Sequence, residues 1–223
     1  MFLWANKSTK QLIADLRQGG TLSRMEGFTA SVFQAYMPRL HAYYQGMLQS
    51  IYTAHPQLKG YYQQLMTDAG YPYPHPHPGP DPTWAARSKN MGPKSATVDH
   101  VDHANLAWGM CGLVNFGDFN PDEGGHLVLH DLGLIIRFPP GSVILLPSAM
   151  LRHSNIGIPE GQERYSMTFY SAGGLFRWVY NGFQSDKTVL KNITPELQKQ
   201  READRLKRWN DGLNMFSKLS ELI

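Results

Sequence analysis

Three side chains in this sequence could bind one metal ion: His100 and Asp102, which form an H-x-D motif, and the more distant His153. Residues two apart on a β-strand project from the same side, so an H-x-D pair at the end of a strand can bind one ion together. Two imidazoles and one carboxylate on one face of an iron ion leave three coordination positions open, as non-haem Fe(II) oxygenases require. We therefore predict an Fe(II) site, with His153 arriving from a distant strand.

A second motif follows the last histidine. Arg164 and Ser166 form an R-x-S pattern within an apolar and aromatic run. A guanidinium and a hydroxyl on the same face of a strand can together hold a carboxylate. The pair predicts a seat for the distal carboxylate of 2-oxoglutarate.

Other interpretations of these residues stay open at this point. A lone H-x-D motif is common by chance. His153 could be a core histidine whose hydrogen bonds are satisfied within the protein, and Arg164 could form an ion pair at the surface. Zinc bound by two histidines and an acid is the alternative metal, but neither an H-E-x-x-H motif nor paired C-x-x-C motifs accompany the residues. The ordered set of H-x-D, His and R-x-S in a strand-rich segment favours the iron site.

Composition indicates a globular chain with a substantial core, since 42% of its 223 residues are hydrophobic and 17% are charged. The single cysteine, Cys111, excludes an internal disulfide framework and fits a reducing compartment. The N-terminus has no continuous apolar stretch typical of a signal peptide, and no segment approaches the length of a membrane span. We expect an intracellular protein without a membrane partner.

The formal net charge of +3 is compatible with nucleic acid as a partner, and equally with an ordinary, slightly basic enzyme. Arg87, Lys89 and Lys94 precede the H-x-D motif, where they could lie at the rim of an active site. A second group of bases near the C-terminus is interleaved with acids, which is typical of a solvated helix face; it comprises Lys199, Arg201, Arg205, Lys207 and Arg208.

The pattern along the chain predicts a single domain over residues 1–223, with four segments. Residues 1–69 are predicted to be a helical layer, with a short helix after Ser8, a helical pattern over 31–54 that Pro38 kinks or breaks, and a helix over 57–68. Residues 70–96 are a proline-rich connector without regular structure. Residues 185–223 hold a C-terminal helix capped by Thr194.

Residues 97–184 carry the β signals, as short apolar runs separated by glycine and proline turns. Many short strands of this kind predict a sandwich or barrel. The predicted fold class is therefore α+β, with a double-stranded β-helix (jelly-roll) core, an N-terminal helical layer and a C-terminal helix.

The same segment resembles the TET/JBP type of 2-oxoglutarate/Fe(II) dioxygenases, and most of all the expanded set in mushroom-forming fungi. The resemblance covers about residues 97–184 and is carried by blocks at residues 124–129, 138–142, 146–148, 152–155 and 164–166. It implies that His100, Asp102 and His153 bind iron, and that Arg164 with Ser166 binds 2-oxoglutarate. It further implies O2 as co-substrate and a nuclear location.

The resemblance also implies a substrate: a methyl group on a base of DNA, through 5-methylcytosine oxidation or N6-methyladenine demethylation. A methylated base within a duplex must be flipped to reach a buried metal. We expect Asn105 and Arg152 to line the base pocket and Asn155 to orient the neighbouring ligand; further candidates are His103, Trp108 and His130.

Three rivals remain from the sequence. A protein or peptide hydroxylase and a small-molecule dioxygenase can both use the same ligand motif, and fold analogy cannot choose among them. A non-catalytic jelly-roll binding module is the rival from another class. The intact ligand set argues against it, because a binding module does not need iron ligands.

Overall fold

The computed structural model describes residues 21–68 and 83–222, which form helices packed on antiparallel sheets. The helix predicted after Ser8 and the connector residues 70–82 lie outside this range. The helices are α1 (Thr21–Tyr36), α2 (Pro38–Ala54), α3 (Pro56–Asp68), α4 (Gly173–Tyr180), α5 (Asp186–Lys191) and α6 (Pro195–Leu213). The strands are β1 (Ala86–Asn90), β2 (Cys111–Asp118), β3 (Leu127–Leu129), β4 (Leu134–Ile136), β5 (Val143–Leu146), β6 (His153–Asn155) and β7 (Glu163–Tyr170).

Local signals decide where the helices begin and end. Pro38 divides the predicted helical pattern: α1 ends at Tyr36, and α2 begins at Pro38 after a non-helical Met37. Thr194 caps α6 as predicted, since its hydroxyl accepts a hydrogen bond of 3.2 Å from the backbone N–H of Leu197. None of the helices in the described ranges has the length and apolar character needed to cross a membrane.

The strands form two antiparallel sheets, ordered β1-β7-β2-β5 and β4-β3-β6. Side chains alternate across the larger sheet, as the period of a strand requires. Val114, Met167 and Phe169 pack in one buried cluster with the residues of α1 and α2. Cys111 and Leu113 of β2 pack in a second cluster with residues of the smaller sheet. The helices therefore cover one face of the larger sheet, and the other face looks towards the smaller sheet.

The layer of helices lies very close to β2 at Gly112. A Cβ atom at this position would lie 2.5 Å from the methyl group of Thr29 on α1 and 3.3 Å from the indole of Trp84. Only glycine lets the helix approach the strand at this distance. This contact fixes how the helical layer lies on the sheet.

Several elements differ from the expectation. Helix α1 starts at Thr21, before the helical pattern predicted over 31–54, and helix α4 lies inside the segment 97–184 that was predicted to be the β core. Strand β1 lies inside the segment that we expected to be an irregular connector. Its sequence, Ala-Arg-Ser-Lys-Asn, lacks an alternating apolar pattern, and it is a strand because it pairs with β7 from Ala86↔Tyr170 to Asn90↔Ser166. The apolar run that begins at Leu106 becomes a strand only from Cys111. The mixed α+β class agrees with the prediction, and the jelly-roll topology stays a prediction.

Candidate metal centre

The two histidines of the predicted ligand set face each other across a single antiparallel bridge. The backbone N–H of His100 donates to the carbonyl of His153 at 3.1 Å, and the N–H of His153 donates back at 2.9 Å. Their ring centroids are 4.3 Å apart. The H-x-D motif therefore does not end a regular strand, as we had expected. It is held against the first residue of β6 by this isolated bridge.

Asp102 completes a compact set of ligand atoms. Its backbone N–H donates to the carbonyl of Ser148 at 2.9 Å, and its carboxylate Oδ1 lies 3.4 Å from Nε2 of His100. One potential ligand atom from each of His100, Asp102 and His153 lies within 4.8 Å of the others. This donor set, two imidazoles and one carboxylate, fits Fe(II) in a site with open positions.

Backbone hydrogen bonds set the tautomer of both histidines. Nδ1 of His100 lies 2.9 Å from the carbonyl of Val98, and Nδ1 of His153 lies 2.8 Å from the carbonyl of Leu151. A carbonyl only accepts, so each neutral ring carries its proton on Nδ1 and keeps a free lone pair on Nε2. This is the arrangement by which proteins orient a metal-binding histidine. The residues present therefore fit a metal ion.

Asn105 holds the third ligand in place. Its side-chain amide donates to Oδ2 of Asp102 at 3.3 Å and to the hydroxyl of the buried Ser148 at 3.1 Å. Oδ2 of the carboxylate is thereby engaged, while Oδ1 faces His100. The arrangement presents one defined oxygen to a metal ion.

Arg164 is a buried cation that has no acidic partner among the described residues. Its side chain is 1% exposed, and one of its N–H groups donates to the carbonyl of Ser95. Its Nε and second terminal nitrogen have no hydrogen-bond partner among the described residues. Burial lowers the pKa of the guanidinium to about 10, so it stays charged at neutral pH. Because burying an unpaired charge is costly, this site calls for an anionic ligand.

The face of β7 that carries Arg164 also forms one wall of a cavity of about 400 Å³. Ser166, Thr168 and Tyr170 line the cavity together with all three potential metal ligands. Arg164 precedes Ser166 by two residues and so lies on the same face, beyond the lined part of the row. The R-x-S motif and the potential metal ligands are thus associated with one cavity.

Of the two residues predicted to line the base pocket, one lies at the cavity and the other does not. Asn105 lines the metal cavity. Arg152 is not among its lining residues: its side chain is 53% exposed and lies 3.6 Å from Asp99 and 3.8 Å from Asp131. Neighbouring residues of an extended segment point to opposite sides, so a side chain next to His153 turns away from the metal.

The further candidates His103, Trp108 and His130 lie in three different places. His103 lines the metal cavity. Trp108 is 8% exposed and packs against α6, where a Cβ at Gly212 would meet its ring at 2.4 Å. His130 contacts the hydroxyl of Ser154 at 2.8 Å. Only the first of these three candidates is therefore placed where it can contact a substrate at the metal.

Asn155 does not orient His153, contrary to the expectation. Its amide lies 3.5 Å from the carbonyl of His126, whereas the ring of His153 is held by the carbonyl of Leu151. The backbone N–H of Asn155 donates to the carbonyl of Thr97. This hydrogen bond extends the contact between β6 and the H-x-D segment.

Sequence reasoning missed three polar residues beside the site. Ser148 links Asp102 to Asn105, and Asn90 of β1 donates to Ser166 at 3.1 Å. Asn115 is fully buried opposite Ser166, and its Oδ1 has no partner among the described residues. A buried asparagine inside an apolar strand was a usable signal, because such a polar group is costly unless it has a partner.

The comparisons with known proteins give matches among solved structures only. No protein-family model matches the sequence, and no curated protein matches it. Among solved structures, NgTET1 in complex with 5mC DNA is 16% identical over 54% of this chain and 49% of that chain, with a TM-score of 0.36. The chain thus spans about half the length of that structure.

Another similar structure is the viral collagen prolyl hydroxylase vCPH from Paramecium Bursaria Chlorella virus-1, in a 2OG complex. It is 10% identical over 52% of this chain and 70% of that chain, with a TM-score of 0.27. At these TM-scores, function must be argued from the geometry of the site itself.

Proposed function

We propose that the chain is a dioxygenase that uses Fe(II) and 2-oxoglutarate to hydroxylate a carbon–hydrogen bond. One observation carries the proposal: a tautomer-fixed pair of histidines and an oriented carboxylate converge on a cavity whose wall continues into a buried, unpaired guanidinium. The first feature suits a divalent iron with open positions, and the second suits the distal carboxylate of a dicarboxylate.

Each residue then has one task. His100, Asp102 and His153 hold the metal through Nε2, Oδ1 and Nε2, while Arg164 and the hydroxyl of Ser166 bind the far carboxylate of 2-oxoglutarate. The bound Fe(II) supplies the oxidising chemistry: O2 and 2-oxoglutarate are consumed, succinate and carbon dioxide leave, and the substrate C–H becomes C–OH.

The substrate that we propose is a methyl group on a base of DNA, as in 5-methylcytosine oxidation or N6-methyladenine demethylation. A duplex does not fit in a cavity of about 400 Å³, whereas a single flipped base does. Ser88, Asn90 and His103 supply polar groups at this cavity and Tyr170 an aromatic ring, which suits the hydrogen bonds and stacking that recognise a flipped base. We further propose a nuclear location, which follows from this substrate.

Mass spectrometry of methylated oligonucleotides tests the proposal. The protein is incubated with Fe(II), ascorbate, 2-oxoglutarate and duplexes carrying 5-methylcytosine or N6-methyladenine, and succinate is measured in parallel. We expect oxidised or lost methyl groups in amounts that match succinate, and neither product with the Asp102→Ala variant. Hydroxylation of peptides or small molecules with untouched DNA would overturn the substrate assignment, and metal-independent turnover would overturn the reaction.

A further inference from the structure

A second and larger cavity adjoins the metal cavity. It measures about 730 Å³ and lies between residues 103–108, α4 and the last turns of α6. His103, Ala104 and Asn105 line both cavities. The short segment that follows Asp102 therefore forms a wall that the two cavities share.

The second cavity combines aromatic surface with positive charge. Its aromatic lining comes from Tyr43, Trp108, Phe176 and Tyr180. Its cations are Lys207 and Arg208, with Arg208 over the ring of Tyr180 at 5.0 Å, and Arg177, which is paired with Asp186 at 2.7 Å. Aromatic faces beside cations are the combination that proteins use to bind a nucleic-acid strand, where bases stack and phosphates are neutralised.

A further hydrogen-bond donor at this cavity lacks an acceptor. Trp108 lines the cavity and is 8% exposed, and its indole N–H has no acceptor among the described residues. Because a buried N–H without a partner is costly, this donor agrees with a ligand rich in acceptors.

Two acids, Asp204 and Asp211, also line this cavity. Asp204 accepts hydrogen bonds from the hydroxyl of Tyr180 at 2.6 Å and from Gln200 at 2.7 Å, and these bonds lower the pKa of its carboxyl. Asp211 is the second acid in the lining. Asp211 repels an anionic ligand, so removing its charge should strengthen the binding of such a ligand.

We propose that this cavity binds the phosphodiester group and sugar of the nucleotide next to the one whose base enters the metal cavity. The inference rests on the proposed DNA substrate. The shared wall places the two subsites side by side, and Lys207 with Arg208 supplies charge for one phosphate. Of the five bases that the sequence assigned to a solvated helix face, Lys207 and Arg208 line the proposed substrate site.

Charge-changing variants on α6 test the proposal. Lys207→Gln removes a cation of the cavity, Asp211→Asn removes an acid, and Lys199→Gln is the matched control, because Lys199 is exposed on the same helix and lines neither cavity. The probe is a short, fluorescent single-stranded oligonucleotide with one methylated base, and affinity is measured by anisotropy at several salt concentrations with the full chain.

We expect Lys207→Gln to weaken binding about tenfold at ~50 mM salt and to reduce the salt dependence by about one phosphate contact. Asp211→Asn should tighten binding, and Lys199→Gln should leave it unchanged. An equal loss with Lys199→Gln and Lys207→Gln would overturn the cavity in favour of diffuse attraction, and so would unchanged binding by Lys207→Gln.

The same experiment separates this inference from the proposed reaction. Oligonucleotide binding that depends on Lys207 without any oxidation of the methyl group supports the cavity and contradicts the DNA reaction. Oxidation of the oligonucleotide that is insensitive to Lys207→Gln supports the reaction and contradicts the cavity.

Discussion

Asn105 and Asp102 are joined side chain to side chain, with the amide of Asn105 donating to Oδ2 at 3.3 Å. The same amide reaches the hydroxyl of Ser148 at 3.1 Å, and the carbonyl of Ser148 accepts the backbone N–H of Asp102. The carboxylate of a potential metal ligand is thus fixed from both its side chain and its backbone. The residue that the sequence assigned to substrate binding supports this carboxylate.

Replacing Asn105 by alanine should therefore weaken metal binding about tenfold, because loss of a supporting hydrogen bond lets the carboxylate turn. Titration with Fe(II) under anaerobic conditions, or with Co(II) followed by its absorption spectrum, measures the effect. Asn155→Ala serves as the control, since its amide holds no metal ligand. If Asn105→Ala changes only the KM for DNA, the residue is a substrate contact alone.

His153→Ala should abolish iron-dependent turnover of 2-oxoglutarate, and chelation of the metal from the wild-type protein should do the same. Both remove the ion or one of its ligands. His130→Ala is the matched control: His130 lies near β6 and contacts Ser154 but is outside the triad. Succinate formation and bound iron are measured side by side. Turnover retained by His153→Ala would contradict the ligand assignment.

Arg164→Met should raise the KM for 2-oxoglutarate roughly 10- to 100-fold, the cost of losing a charge-assisted hydrogen bond to a carboxylate. 2-Oxoglutarate with a non-oxidisable metal should raise the Tm of the wild-type protein, since a ligand stabilises the state that it binds, and should fail to do so for the variant. Arg152→Met, an exposed arginine next to β6, should behave as the wild type. An unchanged KM for Arg164→Met would refute its role.

Cys111 should resist alkylation in the folded protein. Burial raises the pKa of its thiol to about 12, despite the hydroxyl of Ser148 that partly offsets the effect. A raised pKa means that the folded state keeps the proton when the unfolded state has lost it, so stability is unaffected below about pH 9 and falls as pH rises from there towards 12. Iodoacetamide labelling at pH 8 with and without urea checks the first point, and denaturant unfolding of wild type and Cys111→Ser across alkaline pH checks the second. Rapid labelling of the folded protein would show that the thiol is not buried.

The helix boundaries at Pro38 and Thr194 were predictable because their causes are local. Proline cannot continue a helix through its own position, so the break at Pro38 follows from the residue type. Thr194 is the N-cap of α6 and Pro195 is its first residue, so two neighbouring residues mark this boundary. The R-x-S motif was equally readable, since the strand period alone puts Arg164 and Ser166 on one face.

Strand β1 and Arg152 escaped prediction for the opposite reason. The sequence Ala-Arg-Ser-Lys-Asn shows no strand pattern, and only pairing with β7 makes it one. Arg152 was assigned to the pocket for its nearness to His153 in sequence, but the pleat of the chain turns it outwards to Asp99 and Asp131. Nearness along the chain does not determine the side of a strand on which a residue faces.

By itself, the sequence determined which side chains can serve as metal ligands and which cation can serve an acidic co-substrate, because ligand chemistry belongs to residue types. Only the tertiary structure decided that His100 and His153 meet across a bridge, that Arg164 has no acid partner among the described residues, and that a second cavity adjoins the first. Those relations depend on strand register and on how α6 packs against residues 103–108. Such contacts join residues far apart in the chain, and no local pattern encodes them.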